Sequence, residues 1–248
     1  MLDLNGVSKG RSKMYRRMIR YGIVTAVLTT FFSYGLLVGV YQIFPYSQIL
    51  AFKQFLMPNP SSEGRNKEYR IELFEKFSPS AEVVFVGDSI TEGGEWTEFF
   101  PNLKVANRGV ESDKTSDVFK RIDSIISVTP NTAFIMLGIN DISSEIAIDE
   151  IIYNYGSVIS SLKVKGISVF VQSTIQCQVS RCGQKSVSKV NLLNEKLLVL
   201  ADDYDVPFVS LADLSKTEGL DVAYTYDGIH LTAKGYMYWV KQIEPLLE

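Results

Sequence analysis

Four short polar stretches of this sequence hold the side chains that acyl transfer requires. Gly87-Asp88-Ser89-Ile90-Thr91 follows a β-branched run, while Asn107-Arg108-Gly109 and Gly138-Ile139-Asn140-Asp141 follow two further apolar runs. Asp227-Gly228-Ile229-His230-Leu231-Thr232 precedes the last helical pattern. A serine hydroxyl is a poor nucleophile at neutral pH and needs a base beside it. His230, the only histidine in the chain, can take that proton, and Asp227 can fix its tautomer and stabilise the imidazolium. The oxyanion of a tetrahedral intermediate needs fixed donors, which the backbone N–H groups of Ser89 and Gly109 and the side-chain amide of Asn140 can supply. Glycine at 109 would also let the backbone approach a substrate where a side chain would obstruct. Taken singly, each stretch also suits an ordinary role. A serine after a strand is commonly a turn residue or helix N-cap, and a lone histidine is commonly structural.

The chain between these stretches must bring them together. Glu82–Gly87, Leu103–Ala106, Thr132–Leu137, Ile167–Gln172 and Val206–Leu211 are short apolar runs of the kind that form strands buried on both faces. Helical patterns separate them, at about 112–127, 144–165 and 187–203, with others at 68–77 and 232–247. Strands alternating with helices predict an α/β domain with a five-stranded parallel sheet. In such sheets chemistry gathers at the carboxyl ends of the strands, near the switch in strand order. Ser89, Gly109 and Asn140 all fall at predicted strand ends.

The N-terminal quarter reads differently. Residues 1–20 carry six basic side chains against Asp3, while the remaining 228 residues sum to −8 of an overall −3. No charged residue occurs between Arg20 and Lys53. Tyr21 to Phe44 as a helix would extend roughly 36 Å at about 1.5 Å per residue, enough for a hydrocarbon core of about 30 Å. The organisation expected is a basic cytoplasmic tail (1–20), a transmembrane helix (21–44), a juxtamembrane linker (45–66) and a catalytic domain (67–248). The excess of Lys and Arg before the span places the N-terminus in the cytoplasm and the domain in the periplasm or outside the cell.

Composition excludes several functions. Two cysteines and one histidine cannot build the usual multi-ligand zinc sites, and no metal or other cofactor is expected. No P-loop or GxGxxG follows the first strand, and the acidic balance gives no pull toward nucleic acid. Outside the cytoplasm Cys177 and Cys182 can close a short disulfide loop bordering the site, the alternative being two unpaired thiols. Trp96, Tyr224 and Tyr226 flank the polar stretches and could stack on a sugar ring, or be ordinary partly buried aromatics.

The ordered set GDSIT (87–91), NRG (107–109), GIND (138–141) and DGIHLT (227–232) resembles the SGNH (GDSL-type) hydrolase superfamily over about residues 80–248. The resemblance is to the branch of platelet-activating-factor acetylhydrolase and small acetylesterases. It implies a flavodoxin-like three-layer α/β/α sandwich. It also implies Ser89 as nucleophile, His230 as base and Asp227 as its partner, with oxyanion donors at Ser89, Gly109 and Asn140. The expected activity is hydrolysis of short acyl esters through an acyl-Ser89 intermediate, on a small ester or an acetylated cell-envelope glycan. A glycan O-acetyltransferase or a lysophospholipase using the same site is the alternative. Trp96 and Tyr226 are the candidate substrate contacts.

Overall fold

The computed structural model describes residues 4–41, 44–46, 48–49, 52 and 62–247, which fall into two compact units, 1–60 and 61–248. In the first, helix α1 (Leu4–Tyr41) contains a 28-residue stretch, Met14–Tyr41, within which an 18-residue window reaches a mean hydropathy of 2.0. It is long and apolar enough to cross a membrane, a property shared with signal sequences. Thr29 and Thr30 return their hydroxyl protons to the carbonyls of Thr25 and Ala26 at 2.9 Å, so these polar groups are satisfied within the helix. Of the expected span 21–44, residues 21–41 lie within this helix. The helix starts at Leu4 and stops at Tyr41, with residues 42 and 43 outside the described residues. Residues 53–61 of the expected linker also lie outside them.

The second unit opens with helix α2 (Ser62–Lys76), which begins inside the segment assigned to the linker. Then come β1 (Val83–Gly87), short helices α3 (Ser89–Glu92) and α4 (Trp96–Phe99), β2 (Val105–Gly109), α5 (Thr115–Lys120), α6 (Ile122–Ile126) and β3 (Thr132–Met136). They are followed by α7 (Ile139–Ser143), α8 (Ile148–Val164), β4 (Ser168–Gln172), α9 (Val179–Asp203), β5 (Phe208–Val209), a small β6–β7 hairpin (Ser215–Lys216 and Gly219–Leu220) and α10 (Ala233–Ile243). The sheet is parallel in order β2-β1-β3-β4-β5. The strand order reverses on either side of β1, so β1 lies at the switch point.

Alternation along the strands sets the two faces. Phe85, Phe134 and Phe170 are register partners on β1, β3 and β4 and form a stacked row, with centroids 5.5 and 4.7 Å apart. Trp96 from α4 lies on Phe85 at 3.9 Å, and Trp239 from α10 meets Trp96 edge-on at 5.0 Å. Burying aromatics of this size contributes on the order of 1.5–3 kcal/mol each. The Trp239 indole donates to buried Gln172 Oε1 at 2.6 Å, so neither polar group is stranded. On the opposite face, Arg108 of β2 donates to Ser124 O in α6 and its guanidinium lies 4.2 Å from the Phe74 ring of α2. Right-handed crossovers place α8 and α9 on this second face as well. The result is the three-layer α/β/α sandwich.

Three expected elements are altered. β2 is displaced toward the C-terminus and takes in Asn107-Arg108-Gly109, because an edge strand can direct Asn107 and Arg108 to opposite faces. The helix expected at 112–127 breaks at Arg121, with φ −102° and ψ 21°. β5 is cut to two residues, as Pro207 can give no ladder hydrogen bond from its nitrogen.

Two local features bear on the site. At the β1–α3 turn, buried Asp88 accepts from Ile90 N at 2.9 Å and so caps α3, leaving Ser89 as the first helical residue. Cys177 and Cys182 are disulfide-bonded, with Cα atoms 6.2 Å apart. Inside that loop Gln178 N donates to Gly228 O at 2.8 Å, which ties the bridge to the turn bearing Asp227 and His230.

Burial raises the Asp88 carboxyl to about 7, against the opposing hydrogen bond from Ile90 N. A carboxyl raised on folding binds its proton more tightly in the native state. Native stability should therefore fall as pH rises from about 4 to about 7. Asp88→Asn keeps the capping oxygen and removes the titration, so urea denaturation across that range should show a flatter profile than wild type. An unchanged slope would exclude Asp88 as its source. Protein that was never reduced should show no free thiol, and reduction should lower stability by about 2 kcal/mol in the chain-entropy account of so short a loop.

Candidate active site

Parallel pairing aligns the strand ends that carry the polar stretches. Gly87 is the register partner of Gly109 on one side and Met136 on the other, so the segments after β1, β2 and β3 emerge side by side. The serine after β1 is not a cap, since Asp88 does that work. Its hydroxyl instead lies 3.0 Å from His230 Nε2. His230 Nδ1 lies 2.7 Å from Asp227 Oδ2. With Nδ1–H donating to the carboxylate, Nε2 presents its lone pair to the serine proton, which is the tautomer a general base needs.

The turn holding this pair is fixed by its own hydrogen bonds. Asp227 Oδ1 accepts from the backbone N–H of Ile229 and His230 at 2.9 and 2.8 Å. Thr225 Oγ1 accepts from Gly228 N at 2.9 Å and donates to His230 O at 2.7 Å. Gly228 has φ 91°, a conformation that suits glycine. Some burial opposes ionisation of Asp227, but the donors from His230 and Ile229 hold its carboxyl down at about 2. Across physiological pH it is a carboxylate. Tyr236 of α10 donates to Ile90 O at 2.7 Å, joining the helix after the histidine turn to the helix that starts with Ser89.

The oxyanion candidates sit at the neighbouring strand ends. Asn140, in the first turn of α7, gives one of its amide protons to Asp113 O at 3.0 Å and keeps a second donor. Gly109 N–H points to Asn107 Oδ1 at 2.9 Å, while the Asn107 amide nitrogen donates to Glu92 O and Gly94 O. A substrate oxygen would therefore share the Gly109 donor with Asn107. Packing supplies a further reason for glycine at 109. A Cβ there would overlap the backbone of Glu92, with Glu92 Cα 2.7 Å away, so the constraint is the packing of α3 against β2.

Trp96 requires a correction. It is 1% exposed, stacked on Phe85, and its indole donates to Thr91 O at 2.9 Å; a ring enclosed in the core offers no face to a substrate. Tyr226 is 71% exposed, its ring 5.9 Å from that of His230 and nearly parallel to it, and is available to a ligand. Tyr224 is half-buried under Lys234, 5.1 Å from its ring. Asp141 accepts from the N–H and hydroxyl of Thr115 and so ties α7 to α5. Sequence reasoning missed Asp113, Arg121 and Arg70, which contact the oxyanion segments from behind. Among the described residues no cluster of three or more His, Cys, Asp or Glu side chains could hold a metal ion.

Residues 85–238, more than half of the chain, match the GDSL-like Lipase/Acylhydrolase family. Among curated proteins no relative matches. Similar solved structures include a Bacteroides fragilis protein described provisionally as an acylhydrolase, 26% identical over 76% of this chain and 97% of that one, with a TM-score of 0.63. A Streptococcus pneumoniae protein described provisionally as a platelet activating factor is 22% identical over 82% and 99%, with a TM-score of 0.68. An acetyl-xylooligosaccharide esterase from Geobacillus is 18% identical over 68% and 95%, with a TM-score of 0.57. The last two likenesses concern the fold. The matched segment contains all the polar stretches through His230, and the chain belongs to the GDSL-like lipase/acylhydrolase family of ester hydrolases.

Proposed function

We propose that this protein is a membrane-anchored serine esterase that removes short acyl groups, chiefly acetyl, from a carbohydrate. The observation that carries the reading is the hydrogen-bonded series Ser89–His230–Asp227, with separations of 3.0 and 2.7 Å. In the first half-reaction the Ser89 oxygen attacks the ester carbonyl as its proton passes to His230 Nε2. Asp227 stabilises the imidazolium, and the carbonyl oxygen becomes an oxyanion facing Ser89 N–H, Gly109 N–H and Asn140 Nδ2. Collapse breaks the bond to the alcohol, which leaves with the His230 proton. Water, deprotonated by the same imidazole, then releases the acid from acyl-Ser89.

Support for a serine and histidine pair comes from the Geobacillus esterase, whose catalytic mutants replace one of each with alanine. That enzyme's acetylated sugar substrate, together with the exposed ring of Tyr226 beside His230, favours a carbohydrate. The apolar α1 and the excess of basic residues before it favour an anchor with the catalytic unit outside the cytoplasm.

Fluorophosphonate should label wild type at Ser89 and leave Ser89→Ala unlabelled. Ser89→Ala and His230→Ala should lower kcat on p-nitrophenyl acetate at least 10³-fold with unchanged unfolding transitions, and Asp227→Asn by about 10²–10⁴-fold. An active Ser89→Ala enzyme would refute the mechanism. On acetylated xylooligosaccharides the released product should be free acetate; transfer to an added sugar would assign the acyltransferase reaction instead. In intact cells, protease added outside should digest the catalytic unit once the outer envelope is permeabilised; full protection would reverse the orientation.

A further inference from the structure

The oxyanion segment at the end of β2 is gripped from the face opposite the aromatic row. The peptide unit that bears Gly109 N–H has Arg108 O at its other end, and in a trans peptide these two groups point in opposite directions. Arg121 Nη2 donates to Arg108 O at 2.8 Å and reaches Gly87 O, at the end of β1, at 3.4 Å. Holding the carbonyl on this side directs the amide proton to the other. A cation on the carbonyl also polarises the peptide and strengthens its N–H as a donor. The next carbonyl, Gly109 O, accepts from Arg70 Nε of α2 at 2.6 Å.

Both arginines are themselves held. Arg121, buried, donates Nε–H to Asp113 Oδ2 at 2.6 Å, while Lys67 of α2 lies 2.8 Å from Asp113 Oδ1. Arg70 lies 3.5 Å from Glu92, whose other carboxylate oxygen accepts from Glu111 N at 2.6 Å. Asp113 has a second contact of consequence, because its backbone carbonyl accepts the Asn140 amide proton at 3.0 Å. One residue thus anchors Asn140 directly and Gly109 through Arg121.

We infer that Arg121 and Arg70, with Asp113 between Arg121 and Asn140, are positioning residues that aim the Gly109 and Asn140 donors at the oxyanion. None of them touches the reacting atoms. The inference rests on the oxyanion roles proposed above for Gly109 and Asn140. Such roles predict a loss confined to the transition state, so kcat falls while ground-state binding is little changed.

The test uses the full chain in detergent, with p-nitrophenyl acetate as substrate and methylboronic acid as a tetrahedral mimic that bonds to the serine. Arg121→Lys keeps the charge beside Asp113 but cannot bridge Asp113 and Arg108 O with a planar fork. It should lower kcat about 10–100-fold, less than or equal to the ~10²–10³ for removing an oxyanion donor outright. KM should stay within about threefold, and boronate affinity should fall in parallel with kcat/KM. Arg70→Gln, at a side chain 25% exposed, should give a smaller loss with the same pattern, partly restored by guanidinium ion. If Arg121→Lys shows no cooperative unfolding, Arg70→Gln decides. Wild-type kcat in a folded variant, a rise in KM alone, or boronate binding that stays intact while kcat falls would overturn the inference. Wild type that fluorophosphonate does not label would instead overturn the esterase reading on which it rests.

Discussion

The close approach of α3 to the end of β2 is the constraint from which the site follows. There is no room for a Cβ at Gly109, because the backbone of Glu92 occupies that space. The helix that begins at Ser89 therefore lies directly on the strand that ends in Gly109, one of the candidate oxyanion donors. The parallel register then sets the rest, since Gly87 pairs with both Gly109 and Met136. Any widening of the gap between α3 and β2 would separate Ser89 from Gly109 before it disturbed the core. The Asn107 amide of β2 spans that gap by donating to Glu92 O and Gly94 O, and Trp96, stacked on Phe85, holds α3 through Thr91 O. Packing in one layer and chemistry at the sheet edge are thus one geometric problem.

The second face solves a different problem, that of charge beneath a reactive site. Arg108, Arg121 and Asp113 are buried, and leaving any of them unpaired would cost several kcal/mol. Here the pairing is spent on backbone carbonyls at the strand ends as well as on carboxylates. A buried Arg–Asp pair is weak support for stability in its own right, because desolvation offsets much of the attraction. Its worth here lies in direction: a planar guanidinium fixes the orientation of the groups it bonds, and those groups belong to the peptides that line the site.

What the sequence disclosed follows from what is local. The strands were legible because strands buried on both faces are runs of apolar residues, as in Val83-Val84-Phe85-Val86. Ser89 was legible because a glycine and polar residues end the run before it, and His230 and Asp227 because the chain's single histidine stands three residues after an acid in a polar turn before the last helix. The Asp113–Arg121 pair was not, since a charge in a helical pattern looks the same whether it turns to solvent or, at a break such as Arg121, into the protein. Trp96 misled for a related reason. An aromatic beside a polar motif has no local signature of facing inward, and only the Phe85 ring beneath it and the Thr91 carbonyl beside it decide the matter. The start of α2 at Ser62 was hidden by Ser61, Ser62 and Gly64, residues that read as linker until Arg70 and Phe74 anchor the helix on β2.

Burial also divides the labour among carboxyl groups near the serine. Asp88 and Asp227 are both within electrostatic range of His230. Asp88 is enclosed and its desolvation raises it to about 7, so below that pH it is a neutral cap on α3. Asp227 lies in an open turn whose donors hold it down at about 2, and it alone bonds to the ring. Between about pH 2 and 7 two carboxyl groups thus flank the same hydroxyl–imidazole pair in opposite protonation states, set by exposure and by the count of N–H donors. The carboxylate bonded to the imidazole is the more solvated one, where ionisation costs least. The buried one is left to organise the turn that presents Ser89. Exchanging the two environments would leave every residue type in place and dismantle the chemistry.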